Sequence, residues 1–298
     1  LFYMIPNSNK KNASFWIKKS DTTPLVDFML TAIPKSLNYA LNISVTPNTI
    51  GLIKPWYDPI TQKIYSAGTR FVVVNKTKHH YRIFLYNHQT HAIDQALLPR
   101  SIALDASSLA PDQKIPQMIR LLQSWTHRHR HFIPYVWGGC SFTHWYTSED
   151  LETKKIDTNI AVYSTEKEQI AGFDCTGLIL RAAQLCGISY FCKNTTAISY
   201  TLSPLTQKDR IQNGDLIWIP GHIMIVSNIA KHTIIESRDF FHGYGKVQEI
   251  ALSRVFKDIY TYQQLEKAHC NNQLIMRMDS NRTVKETIPF KIMRIAYY

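Results

Sequence analysis

The sequence predicts an α+β fold: a small β-barrel region of short strands, then a larger unit mixing helices and strands. Three observations carry this. The stretches TRFVVVNKT (69–77) and HYRIFLYNH (80–88) alternate in character and are bounded by turn residues. The segments 111–128 and 174–186 repeat apolar residues at helical spacing. Strand-like runs follow at 212–220, 221–229 and 232–238. With 298 residues, 45% of them hydrophobic and 19% charged, the chain can bury a substantial core. Its length suits about two domains of ~100–200 residues each.

Residues 1–40 are polar, then mixed, and show no strong period; they read as an irregular arm that packs Phe15 and Trp16 onto the rest. Residues 45–105 read as strands, with Tyr81, Ile83 and Leu85 on one face of their run. His79, His80, His88 and His91 in this region read as surface residues. In 111–128, Ile115, Ile119 and Leu122 form an apolar stripe with Trp125 beyond it, and this helix is expected to open the second domain. PYVWGG (134–139) is a turn with two glycines, and 140–170 is a long polar stretch of the kind that is functional or mobile. In 174–186, Leu178, Ala182 and Leu185 define a stripe that Ile179 and Cys186 join. Asp174 is a good N-cap and Gly187 a good stop. Cys175 is the first helical residue and lies off the stripe. The C-terminal ETIPFKIMRIAYY (286–298) reads as one last strand.

The formal net charge of +12 favours anionic partners. The basic runs, KK at 10–11, KK at 18–19 and HRHRH at 127–131, are too short for a nucleic-acid interface, so none is expected. No apolar run reaches the ~18 residues of a membrane helix. Residue 1 is Leu rather than a start Met, so a signal peptide is expected to have been removed. The five cysteines, Cys140, Cys175, Cys186, Cys192 and Cys270, are an odd number without a CxxC pair, which speaks against a zinc ribbon. His127, His129 and His131 alternate but have no carboxylate or cysteine companions nearby. No metal or cofactor is expected.

Chemistry concentrates around Cys175. A helix N-terminus stabilises a thiolate, and its free N–H groups can hold an oxyanion. Gly177 allows close approach of substrate or neighbouring backbone. A thiol nucleophile needs a base, and His222 at the start of a strand is the best candidate. A hairpin turning near Ile229 sets Glu236 directly opposite His222, where it can orient the imidazole; Asp239 is the alternative, and Ser237 has the wrong parity. Tyr135 and Trp137 can line a groove beside the nucleophile, or pack in the core.

FDCTG (173–177), QNGDLIW (212–218), GHIMIV (221–226) and PYVWGG (134–139), in this order, resemble the NlpC-type cell-wall cysteine peptidases over about residues 110–298. FWIKKSDTTPLVD (15–27) and LLPRSIALDASSLAPDQ (97–113) are similar to the N-terminal clip and the joining passage of a subgroup acting on γ-D-glutamyl-diamino acid bonds. The resemblance implies a clip or arm at 1–40, an SH3-like β-barrel at 41–108 and a papain-like catalytic domain at 109–298. It implies hydrolysis of the γ-D-glutamyl–meso-diaminopimelate amide in peptidoglycan stem peptides or murein fragments. It implies location in the bacterial cell envelope, periplasmic or secreted. Cys175 matches the nucleophile, His222 the base, Glu236 the third polar position (most often His in the family) and Tyr135 the active-site Tyr. Asp174, Thr176, Trp137, Asn194 and Thr195 fall on the substrate side. Lys193-Asn194-Thr195 stands where the subgroup that grips a free peptide amine has Arg/Lys-Asp-Ser. Two other readings of the chain are an acyltransferase or amidase using the same thiol on a non-murein substrate, and a non-catalytic wall-binding protein.

Overall fold

The computed structural model describes residues 49–87, 92–126, 130–147, 149, 170–190, 192–239 and 243–295, with the backbone of 2–6 and 14–18. Helix and strand are mixed around two five-stranded antiparallel sheets. The first contains β3 (Thr49–Leu52), β6 (Arg70–Lys76), β7 (His80–Asn87), β8 (Ala92–Pro99) and β9 (Ala103–Leu104), in the order β8-β7-β6-β3-β9. A small hairpin of β4 (Trp56–Asp58) and β5 (Lys63–Tyr65) accompanies it. The alternation in β7 does what its sequence predicts: Tyr81, Ile83 and Leu85 turn inward against Ile50, Leu52, Phe71 and Leu98, and the sheet curls around them.

The N-terminal arm is a correction. Its described backbone is not irregular: β1 (Phe2–Pro6) and β2 (Ser14–Lys18) pair as an antiparallel hairpin. The sequence carries the signal, two β-prone runs separated by an Asn- and Ser-rich stretch. The packing of Phe15 and Trp16 lies outside the described residues.

The second sheet holds β12 (Leu216–Ile219), β13 (His222–Asn228), β14 (Thr233–Arg238), β15 (Lys246–Ala251) and β18 (Lys291–Met293), ordered β15-β14-β13-β12-β18. Both faces are covered. On one lie α1 (Pro111–Thr126) and α2 (Cys175–Leu185), against Ile223, Ile225, Ile235 and Val247. The other packs Ile217, Met224, Val226 and Ile234 against α4 (Leu252–Val255), α5 (Tyr262–Cys270) and the hairpin of β16 (Ile275–Met278) and β17 (Val284–Ile288). Burial on both faces explains why Leu216–Val226 reads as a nearly unbroken apolar run. α3 (Thr195–Thr201) follows α2.

The single C-terminal strand expected at 286–298 is two. Pro289, which lacks a ladder donor, separates β17, paired to β16, from β18, which crosses to β12. The polar stretch after Gly139 begins in an ordered way: Phe142 and Tyr146 are buried, and β10 (His131–Phe132) pairs with β11 (Tyr146–Thr147). Residues 150–169 of that stretch, together with His88, His91, His127 and His129, lie outside the described residues.

The two halves share packing. Trp125 Nε1 donates to the Ile53 carbonyl at 2.9 Å, and Arg70 Nη2 to the Gln184 carbonyl at 2.9 Å. Leu185 presses on Gly51, where a Cβ would come within 2.3 Å of it. The first sheet therefore meets α2 at its C-terminal end, the end away from Cys175. Among the described residues no helix is long and apolar enough to cross a membrane.

Candidate active site

Asp174 caps α2 as its sequence predicts: its carboxylate accepts from the Gly177 backbone N–H and from the Thr176 hydroxyl. Cys175 is the first residue of the helix. The PYVWGG segment lies beside this helix end, held by backbone bonds. Phe173 N–H donates to the Pro134 carbonyl at 3.1 Å, Val136 N–H to the Phe173 carbonyl at 3.1 Å and Asp174 N–H to the Gly139 carbonyl at 3.0 Å. Glycine is needed here because backbone meets backbone. A Cβ on Gly177 would lie 2.0 Å from the Gly139 oxygen, and one on Gly139 2.4 Å from the Gly172 oxygen. Gly177 thus serves the neighbouring backbone. Ser237, on the face opposite to Glu236, donates to the Phe173 carbonyl at 2.7 Å and ties β14 to the same loop.

His222 opens β13, and its Nε2 lies 2.9 Å from Glu236 Oε2; both side chains are buried. The predicted partnership is present, but its register is not the predicted one. Ile225 pairs with Ile235 and Val226 with Ile234, a shift of two residues that sets Glu236 diagonal to His222. A shift of two keeps both residues on one face, and a glutamate is long enough to reach diagonally. The other carboxylate oxygen, Oε1, accepts from Gln248 Nε2 at 3.1 Å; Gln248 stands directly opposite Glu236 on β15.

The thiol approaches the second sheet at the start of β13. The backbone N–H of Ile223 faces the Cys175 sulfur, so the sulfur lies against the peptide group that follows His222. His222 shares the sheet face of Met224 and Val226, whereas α2 packs on the face of Ile223 and Ile225. Among the described residues no hydrogen bond joins Cys175 to His222.

The electrostatics correct one expectation. Burial pushes the Cys175 thiol up to about 12, and the Asp174 carboxylate adds to the rise. The N–H groups of Ile223, Thr176 and Cys175 oppose this, in the sense the helix N-terminus predicts, but they are outweighed. Only 8% of Cys175 is exposed, and it packs with the α2 core although its helical phase predicts a place off the apolar stripe. Burial also drives the His222 imidazole down, helped by Arg277 and Arg238 and opposed by the bond to Glu236. For Glu236, burial acts upward, but the His222 hydrogen bond and the Arg238 and Arg277 charges hold it well below the usual carboxylate range. The site at rest is a neutral thiol, a neutral imidazole and a carboxylate. An ionised carboxylate can only accept, so Nε2 carries the imidazole proton and Nδ1 keeps its lone pair.

The remaining predicted residues are placed as follows. Tyr135 is buried, and burial, then the Cys175, Asp174 and Asp239 charges, push its hydroxyl up, so it stays an O–H donor. Trp137, 69% exposed, projects from the turn at Gly138. The Thr176 hydroxyl donates inside the protein, to Asp174 and to the Lys193 carbonyl at 3.1 Å. Asn194 caps α3, accepting from the N–H groups of Thr196 and Ala197, and the Thr195 carbonyl accepts from Trp218 Nε1. Sequence reasoning missed Gln248, Arg238 and Arg277. The alternation of KVQEIA, unread as a strand, holds the signal for Gln248, and Arg238 shares the parity of Glu236. It also missed Tyr190, whose buried hydroxyl has no hydrogen-bond partner among the described residues. All five cysteines are free thiols. Among the described residues no group of three or more His, Cys, Asp or Glu is placed to hold a metal ion. Comparison with protein-family models, with curated proteins and with solved structures finds no match to this chain.

Proposed function

We propose that the chain is a cysteine peptidase that hydrolyses the γ-D-glutamyl–meso-diaminopimelate amide of peptidoglycan stem peptides, acting in the bacterial cell envelope. Its second half would be papain-like and its first sheet SH3-like. One observation carries the reading: the thiol at the head of α2 lies against the peptide following His222, and the His222 ring is bonded through Nε2 to Glu236. A nucleophile, a base and a group that orients the base are the parts acyl transfer requires.

Cys175 Sγ attacks the γ-glutamyl carbonyl carbon as its proton passes to His222 Nδ1. The raised thiol makes this a step concerted with attack rather than one that starts from a standing ion pair. The Cys175 backbone N–H and the Tyr135 hydroxyl are the donors for the oxyanion. Collapse breaks the C–N bond, His222 returns the proton to the departing diaminopimelate amine, and a thioester remains. Water, activated by the same imidazole, hydrolyses the thioester and restores the thiol. Glu236 stabilises the imidazolium formed midway. The carboxylates of a murein peptide suit a chain of net charge +12.

The test is digestion of purified murein and of free L-Ala-γ-D-Glu-diaminopimelate by the native protein and by Cys175→Ala. Release of a diaminopimelate-containing product by the native protein alone is expected. No such product from either substrate refutes the peptidase reading, and activity in Cys175→Ala refutes the nucleophile.

A further inference from the structure

Glu236 lies in a setting that could pull it away from His222. Two buried guanidiniums, Arg238 from β14 and Arg277 from β16, bear on the same carboxylate. Neither is fully engaged. Arg238 Nη1 donates to the Met278 carbonyl at 2.9 Å and Arg277 Nη1 reaches Glu286 at 3.5 Å, but the Nε of each has no partner among the described residues. A charge-assisted bond from guanidinium to carboxylate is stronger than one from a neutral imidazole. Neither guanidinium forms an ion pair with Glu236 among the described residues, and both remain competitors with His222 for its charge. What opposes them is the second anchor, Gln248 Nε2 on Oε1, delivered by the direct pairing of Glu236 with Gln248 across β14 and β15.

We propose that Gln248 is a positioning residue: with His222 it occupies both carboxylate oxygens of Glu236, and so fixes the imidazole in the tautomer whose Nδ1 is free to take the thiol proton. This rests on the reading of His222 as the base. The groups that bear on the pair are Arg238 of β14, Arg277 of β16 and Gln248 of β15, on elements packed around the start of β13. An amide suits the position: it donates without adding charge to a pocket that already holds two cations.

The tautomer can be read without substrate, which separates this inference from the peptidase reading. Long-range proton–nitrogen spectra of protein labelled with ¹⁵N-histidine, with the ring of residue 222 assigned by its loss in His222→Gln, report which nitrogen carries the proton. The native protein is expected to show a single Nε2–H form for His222. Gln248→Met, of similar length but lacking the donor, is expected to show a mixture of the two forms at an unchanged melting temperature. On a murein peptide the same variant is expected to lose about tenfold to a hundredfold in kcat with KM unchanged, the usual scale for removing an orienting partner. A native His222 in the Nδ1–H form overturns the proposal even if Gln248→Met does not fold. A folded Gln248→Met that retains the single Nε2–H form overturns it too.

Discussion

Cys175 stands under two opposed influences, and their balance decides how the site is used. Helix N–H groups favour a thiolate, but burial and Asp174 favour the thiol more strongly, to about 12. At pH 7 iodoacetamide is therefore expected to modify Cys175 more slowly than the partly exposed Cys140, Cys192 and Cys270, and its rate should climb as pH rises toward 12. Peptide mass mapping of the modified cysteines measures this; fast labelling of Cys175 at pH 7 contradicts the neutral resting state. Glu236→Gln replaces an obligate acceptor with a group that can donate, and this permits the wrong imidazole tautomer. A loss of about 10²–10⁴-fold in kcat on a murein peptide is expected, with little change in KM. The helix start at Cys175 and the shared face of His222 and Glu236 were legible in the sequence, since a capped helix start and strand parity are local properties. The direction of the thiol shift was not, because burial of Cys175 depends on β13 and on the 134–139 segment.

Among the elements, the α2 N-terminus is the joint of the site, and Gly177 shows how context reverses a propensity. Alanine in a helix interior usually gains about 1 kcal/mol over glycine. Here the added methyl would meet the Gly139 carbonyl oxygen at 2.0 Å, a backbone atom that cannot step aside alone. Gly177→Ala is expected to destabilise by about 1–3 kcal/mol, the scale of overpacking, and to displace Cys175; chemical denaturation and murein digestion read the two effects. Asp174→Ala removes the cap and is expected to cost ~1 kcal/mol in the same denaturation assay. The β13–β14 hairpin teaches a different lesson. The loop length predicted a register two residues from the real one, because Asn228 pairs with Thr233 and the turn centres between Ala230 and Lys231 rather than at Ile229; the irregularity between Val226 and Asn228 takes back one residue. The His222–Glu236 contact survived, since parity sets the face and side-chain length spans the diagonal.

At the scale of the molecule, charge burial under the second sheet sets the response to acid. The unfolded His222 takes up a proton near 6.5, whereas the folded one, held down chiefly by burial and by Arg277, does so near 4. The unfolded state thus binds more protons between those values, and stability must fall as pH drops through that window. Glu236 continues the decline from its ordinary 4.5 to about 2. Urea midpoints measured from pH 7 to pH 3 are expected to fall steadily. His222→Gln is expected to flatten the part between 6.5 and 4, and an unchanged slope in that variant contradicts the assignment. The contacts of Trp125 with Ile53 and of Leu185 with Gly51 bind the two halves together, so the first sheet is expected to unfold with α1 and α2 in one calorimetric transition.

The sequence by itself determined the mixed fold class, the main strands and helices, the capped start of α2 and the shared face of His222 and Glu236. Each follows from a periodicity of 2 or 3.6 residues or from a cap, and each is complete within a few consecutive residues. Only the tertiary structure decided the rest. It set the diagonal register, split the last strand, buried the Cys175 thiol and brought Gln248, Arg238 and Arg277 around one carboxylate. Those depend on which elements lie against one another, and burial and charge act through space across segments far apart in the chain.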